Sequence, residues 1–230
     1  MEIVRAHIRA PVYTVSIILA VFIYALVVTT YQGSLEIIRL EEWYGFTAFV
    51  FIYLALLPTP LYAVFPALPG KAVVTRARRA IGISGFLYAV LHSAISFWGL
   101  LDGFAGLPFL PESYTINLSA TAIALIILFL LAVTSFDVTV LFMGSWWKRL
   151  HRFLYGAGVL ILFHVVTLGA SFTDLGDMLP SIALLFVFLL LLLEVARIDK
   201  KYFIGMLGFA PRVSVPFIIS SMLLAAAISL

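Results

Sequence analysis

Long apolar runs separated by short polar segments set the pattern of this chain. Seven can be drawn: Val12–Tyr31, Trp43–Phe65, Ala80–Leu101, Ile116–Phe136, Leu150–Ala170, Leu179–Ala196 and Val213–Leu230. None alternates apolar with polar at a period of two, which argues against a membrane β-barrel. The runs are apolar all round, as in helices that face lipid or one another on every side. A membrane-crossing helix needs roughly 20 such residues, within a range of about 17–25. The first five runs meet that length, and the sixth is shorter but very apolar. The seventh is short and reaches the last residue, so it reads either as a span or as a helix lying in the interface. Prolines at 58, 60, 66 and 69 are expected to kink and then end the second helix. The segment 102–115, which mixes Gly, Pro, Phe and Leu, is expected to fold onto the membrane surface.

Composition agrees with a membrane domain. Of the 230 residues 64% are hydrophobic and 11% charged, and mean hydropathy is +1.17, values outside the range of soluble domains. The predicted fold is an all-α integral membrane protein, one transmembrane domain over 1–230. The first apolar run is too long for a signal-peptide core and lacks a small-x-small cleavage site, so it reads as a retained helix. Lys and Arg then fix orientation. With the N-terminus cytoplasmic and the spans alternating, the inner side holds Arg5, Arg9, Lys71, Arg76, Arg78, Arg79, Lys148, Arg149, Arg152, Arg197, Lys200, Lys201 and Arg212. Only Arg39 falls outside, so thirteen of the fourteen basic residues face inward. Glu36, Glu41, Glu42, Asp102, Glu112, Asp174 and Asp177 fall outside and read most simply as solvated loop charges. The net charge of +3 lies between apolar runs, which suits topology and anionic lipid and gives no reason to invoke nucleic acid. The expected location is the cell (plasma or inner) membrane.

Candidate chemistry narrows to histidine. There is no cysteine, which removes disulfides, thiolate haem ligation, iron–sulfur clusters and covalent haem attachment. His92 and His164 lie within apolar runs, and His151 opens the fifth run. Ionisable groups inside a membrane are usually functional, and imidazoles from facing helices are the usual holders of a haem iron. His92 lies thirteen residues beyond Arg79 and His164 thirteen beyond His151, each about 20 Å along a helix at 1.5 Å per residue. The pair therefore sits at one depth, in the outer half, as a bis-histidine b-type haem requires. His151, at the inner edge, has no equally clear partner. On one straight helix thirteen residues turn through about 220° net, so His151 and His164 do not share a face. His7, Met143 or water are candidate partners for His151, and one or two haems are compatible with the pattern. Arg78, Arg79 and Arg149 are positioned to pair with propionates. Plainer readings stand beside these: interhelical hydrogen bonding for the histidines, topology for Arg76–Arg79, interfacial belts for Trp146 and Trp147, and an i,i+3 pair for Glu194 with Arg197.

The stretch Thr75-Arg76-Ala77-Arg78-Arg79-Ala80-Ile81-Gly82 continuing to Phe86–His92, the stretch Leu131–Ser135, and Trp147-Lys148-Arg149-Leu150-His151-Arg152-Phe153-Leu154-Tyr155 followed by His164 together resemble the MsrQ family. These are haem-binding membrane subunits of methionine sulfoxide reductase systems, within the wider ferric reductase-like transmembrane family. The likeness covers roughly 43–170, and more loosely the first and sixth helices. It implies a six-helix haem-binding bundle with a haem core of about 43–197; the seventh apolar run, within an extra segment 198–230, adds a C-terminal helix to that expectation. It implies that His92, His151 and His164 are the haem-linked histidines. It further implies electron flow from inside to outside, toward a periplasmic molybdopterin subunit that reduces methionine sulfoxide. The seventh run lies outside the family's six-helix core, and Val166–Ala170 lacks the basic residue expected there.

The resulting expectation is a b-haem electron carrier that is a redox subunit rather than a complete enzyme. Its donor would be a cytoplasmic flavin reductase or membrane quinol, with FMN or a quinone as a further cofactor. No G-x-G-x-x-G follows a strand, so NADPH alone is not expected to reduce it. Two alternatives remain at this level. One is a haem protein with ferric ion, oxygen or another acceptor; the other is a haem-free transporter or scaffold.

Overall fold

The computed structural model describes the backbone of residues 2–168 and 178–207 and the side chains of residues 8–168 and 181–199. In chain order the elements are α1 (Glu2–Thr30), α2 (Ser34–Leu56), α3 (Pro58–Val64), α4 (Lys71–Ile95), a π-helical turn (Ser96–Leu100), α5 (Gly103–Gly106), a 3-10 turn (Leu107–Phe109), α6 (Glu112–Val133), α7 (Asp137–Met143), α8 (Ser145–Leu150), α9 (Phe153–Leu168) and α10 (Met178–Leu207). No strand occurs among the described residues. Among the described residues, six helical stretches are long and apolar enough to cross a membrane: Ile8–Thr30, Ser34–Val64, Lys71–Leu100, Glu112–Val133, Ser145–Leu168 and Ser181–Asp199. They correspond to the first six apolar runs, and the chain reads as a multi-pass membrane protein. The seventh run, Val213–Leu230, lies outside the described residues, as do Asp174 and Asp177.

Two boundaries differ from the hydropathy pattern, each for a local reason. Helix α2 begins at Ser34, well before Trp43. Its first turns carry Glu36, Arg39, Glu41 and Glu42, which end an apolar run but favour a helix. Glu36 opposes the positive end of the dipole, and Arg39 pairs with Glu42 at 2.7 Å, three residues on. At the other end the prolines act as expected. Helix α2 stops at Leu56, and Pro58 starts α3, where its missing N–H leaves no helical bond unmade. Arg78 fastens this junction from α4, donating to the Ala55 carbonyl at 2.6 Å and to Thr59 Oγ1 at 2.7 Å.

The bundle is built from two close helix pairs. Helices α2 and α4 share the most extensive interface, and α6 with α9 the next; contacts between the pairs are sparse. Close approach of α2 and α4 rests on small residues, as membrane helices require. A Cβ on Gly85 would come within 3.1 Å of Ile52 and Phe51. Helix α1 leans on this pair through tyrosines. Tyr88, almost fully buried, donates to the Ser16 carbonyl at 2.7 Å, and Tyr44 to the Ala20 carbonyl at 3.1 Å. These rings join Ile23, Val27, Leu40 and Ala48 in one apolar cluster. A second cluster, Ile52, Leu56, Leu128, Ala157 and Leu190, ties both pairs to α10.

At one end of the bundle Asp137 collects two arginines. The Arg9 guanidinium grips it through two hydrogen bonds of 2.9 and 3.1 Å, and Arg79 adds a third at 2.7 Å. This brings α1, α4 and the α6–α7 junction together, and gathers residues expected on the inner side at a single end. The Arg9 hydrogen bonds, followed by the charges of Arg9 and Arg79, outweigh partial burial and hold the Asp137 carboxyl below its ordinary range. Its stabilisation is therefore full above the ordinary carboxylate range and is lost as pH falls through the lowered value. The group is partly exposed, so the effect is modest. Asp137→Asn is expected to cost roughly 1 kcal/mol near neutral pH. The deficit should close on acidification, as thermal melts of both proteins in detergent across pH 3–7 would read.

Candidate functional site

His92 near the end of α4 and His164 in α9 face one another across the junction of the two helix pairs. Their ring centroids are 5.9 Å apart and their planes 73° apart. Each ring is held by its Nδ1. His92 Nδ1–H donates to the Glu41 carbonyl at 3.0 Å, with the Glu41 carboxylate oxygen at 3.3 Å. His164 Nδ1–H donates to Asn117 Oδ1 at 2.7 Å. Asn117 is 1% exposed. Its Nδ2 donates to Thr167 Oγ1, whose own proton goes to the Phe163 carbonyl at 2.7 Å. That chain of donors fixes the amide with its oxygen toward His164, so both imidazoles carry their proton on Nδ1 and keep Nε2 as the lone-pair nitrogen.

The two rings border a cavity of about 100 Å³, walled by small and apolar side chains including Ala48, Ala89, Thr121, Ala124 and Leu128. Gly45 of α2 forms part of the same wall. A Cβ there would stand 2.7 Å from His92 Nδ1, so only glycine lets the ring come this close to α2.

The third histidine is elsewhere. The fifth span is not one straight helix: α8 ends at Leu150, a turn occupies His151 and Arg152, and α9 starts at Phe153. The straight-helix phase between His151 and His164 therefore does not apply. His151 Nδ1 lies 3.1 Å from the Trp147 carbonyl and Nε2 lies 3.2 Å from Ser135 Oγ. Its ring lies against Trp147 with centroids 4.0 Å apart. Trp147 donates to the Thr134 carbonyl at 2.9 Å and lies beneath Arg79 at 5.3 Å. Met143 ends α7; the side chain of His7 lies outside the described residues. Of the three arginines expected near propionates, Arg78 and Arg79 have the protein partners given above, and Arg149 stacks over Trp146 at 4.6 Å. Glu194 pairs with Arg197 at 2.6 Å, as its i,i+3 spacing predicts.

Two imidazoles with Nδ1–H tied to oxygen and Nε2 left to donate electrons form a fitting donor set for one metal ion between them. With metal–nitrogen bonds of about 2 Å on each side, such rings stand roughly 6 Å apart, close to the separation seen. No group of three or more His, Cys, Asp or Glu forms a metal site among the described residues. A bare ion would thus have only these two imidazoles, whereas a haem iron needs just two axial ligands. A porphyrin is larger than the cavity, and the contacts between the two helix pairs that flank it are sparse. Glu41, Asn117 and Gly45 were not anticipated from the sequence as parts of this site.

The chain is similar to the haem-binding subunits of methionine sulfoxide reductases. It is 31% identical over 132 residues to the protein-methionine-sulfoxide reductase heme-binding subunit MsrQ of Xanthomonas euvesicatoria pv. vesicatoria (strain 85-10), covering 57% of this chain and 59% of the relative. It is 30% identical over 140 residues to the MsrQ of Xanthomonas campestris pv. campestris (strain 8004), with the same shares. The likeness thus spans less than two thirds of the relatives' length. No family model and no solved structure matches the chain.

Proposed function

We propose that this chain is a haem-binding membrane subunit that passes electrons across the membrane to a methionine sulfoxide reductase catalytic subunit. The observation that carries the reading is the His92–His164 pair, with both Nδ1 atoms anchored, the rings 5.9 Å apart and both residues lining one cavity. A b-type haem held there supplies one-electron redox chemistry. The chain supplies the two axial imidazoles, the apolar wall that excludes water from them, and the depth at which the iron sits. His92 and His164 are the proposed ligands. His151, with Trp147 and Ser135 at the opposite end, is proposed to serve electron entry or a second haem. For a second haem at the level of His151, Arg149 is the best remaining propionate partner, since Arg78 and Arg79 already bind protein groups.

Direction follows from the charge asymmetry. The N-terminus and the basic end around Arg76–Arg79 and Lys148–Arg152 are placed in the cytoplasm of a cell inner membrane. There they attract an anionic flavin or the acidic face of a flavin reductase, with membrane quinol as the other donor. The acceptor is then an extracytoplasmic subunit of molybdopterin type. Similarity to the relatives supports the choice of acceptor. Absorption spectra of purified protein with haem quantitation test the reading. A Soret band with sharp reduced α-bands is expected, together with reoxidation of the reduced protein by the catalytic subunit plus methionine sulfoxide. Protein purified without haem, and unable to take it up, would sink the reading.

A further inference from the structure

The two imidazoles are held in the same tautomer by chemically unlike partners. His92 leans on a backbone carbonyl backed by the Glu41 carboxylate, at 3.0 and 3.3 Å. His164 leans on the neutral side-chain amide of Asn117 at 2.7 Å. Both partners are shielded. The Glu41 and His92 side chains are 21% and 17% exposed, and Asn117 is buried. An anionic acceptor draws the Nδ1 proton and makes the imidazole a stronger donor; an amide oxygen does so less. We propose that Glu41 and Asn117 are positioning residues that present both Nε2 atoms to one iron while making His92 the stronger ligand and His164 the weaker, and so set its reduction potential. The inference rests on the haem reading above and concerns how the site is tuned.

The sign follows from charge. Ferric iron carries one more positive charge than ferrous iron, so a more basic ligand favours the ferric state and lowers the potential. Removing either acceptor should raise it. Glu41→Gln deletes the charge and keeps the backbone carbonyl, so His92 stays in place. Asn117→Leu deletes the acceptor for His164 at similar volume.

The experiment is a potentiometric titration of haem-loaded wild type, Glu41→Gln and Asn117→Leu, with low-spin electron paramagnetic resonance spectra recorded alongside. Loss of such a partner weakens metal binding about 10–100-fold. A tenfold loss confined to the ferric state corresponds to about +59 mV for a one-electron couple. Positive shifts of at least that size, with the spectrum still low-spin, are expected. Unshifted potentials at full haem content would overturn the proposal and leave the haem reading intact, whereas a wild type that binds no haem would sink that reading itself. Should Asn117→Leu fail to retain haem, Glu41→Gln alone decides, because its ring contact to the backbone survives.

Discussion

Alanine at His92 or at His164 is expected to abolish the low-spin haem signal. Among the described residues, His92 and His164 are the only histidines that line the cavity between the helix pairs, so either loss leaves the iron with a single axial ligand. The outcome is a five-coordinate, high-spin haem or a protein with little haem. His164→Ala also takes the 2.7 Å donor from the buried Asn117 Oδ1 and leaves it only the long contact from Thr121 Oγ1 at 3.4 Å, a loss of up to about 1–3 kcal/mol. A loss of folding must therefore be separated from a loss of ligand. Adding imidazole does this: the small molecule should enter the vacated volume and restore a low-spin spectrum if the bundle is intact. His151→Ala is the internal control. Its ring lies with Trp147 and Ser135 and not with the pair, so the His92–His164 spectrum should persist. Absorption and electron paramagnetic resonance spectra of the three variants in detergent read this directly. Unchanged spectra and haem content in all three would remove histidine ligation from the account.

The depth of the site was legible because helix rise is a local, regular quantity. Counting from Arg79 along α4, and from the basic cluster before α9, placed His92 and His164 level, and the structure brings them to 5.9 Å. Six membrane-length helices were legible for the same reason, as each apolar run is its own record. What escaped notice depends on how helices approach one another. Glu41 stood in a polar segment and read as a solvated loop charge, yet it lies within α2, and α2 packs on α4 beside His92. Asn117 stood at the edge of an apolar run, where one amide carries no signal until α9 is laid against α6. The phase argument for His151 assumed an unbroken helix, and the turn at His151–Arg152 removes its premise. Arg78 and Arg79 looked like free inner charges because the groups that hold them, the Ala55 carbonyl and Asp137, are distant in sequence.

Gly45→Ala offers the most selective perturbation, since it adds one methyl group and touches no ligand. The new Cβ would stand 2.7 Å from His92 Nδ1, 2.9 Å from Cε1 and 3.3 Å from Cγ. The aromatic ring cannot bend, so it must swing away and break its bond to the Glu41 carbonyl, or α2 must retreat. Retreat would open the interface further along, where α2 lies so close to α4 that a Cβ on Gly85 would stand 3.1–3.3 Å from Phe51 and Ile52. The ring is therefore expected to move, which misaligns Nε2 and frees the tautomer. Haem affinity should fall at least roughly tenfold, the usual cost of losing the contact that orients a metal-binding histidine. Helix stability should not fall with it, because alanine favours a helix over glycine by about 0.5–1 kcal/mol. The expected result is thus a well-folded protein with weakened or high-spin haem. Gly82→Ala is the matched control on the same helix pair: its Cβ would meet Ala55 at 3.8 Å, an ordinary contact, and should leave the spectrum unchanged. Haem titrations and thermal melts of both variants would decide the matter, and a Gly45→Ala protein with wild-type haem affinity and a low-spin spectrum would show that His92 does not ligate from this position.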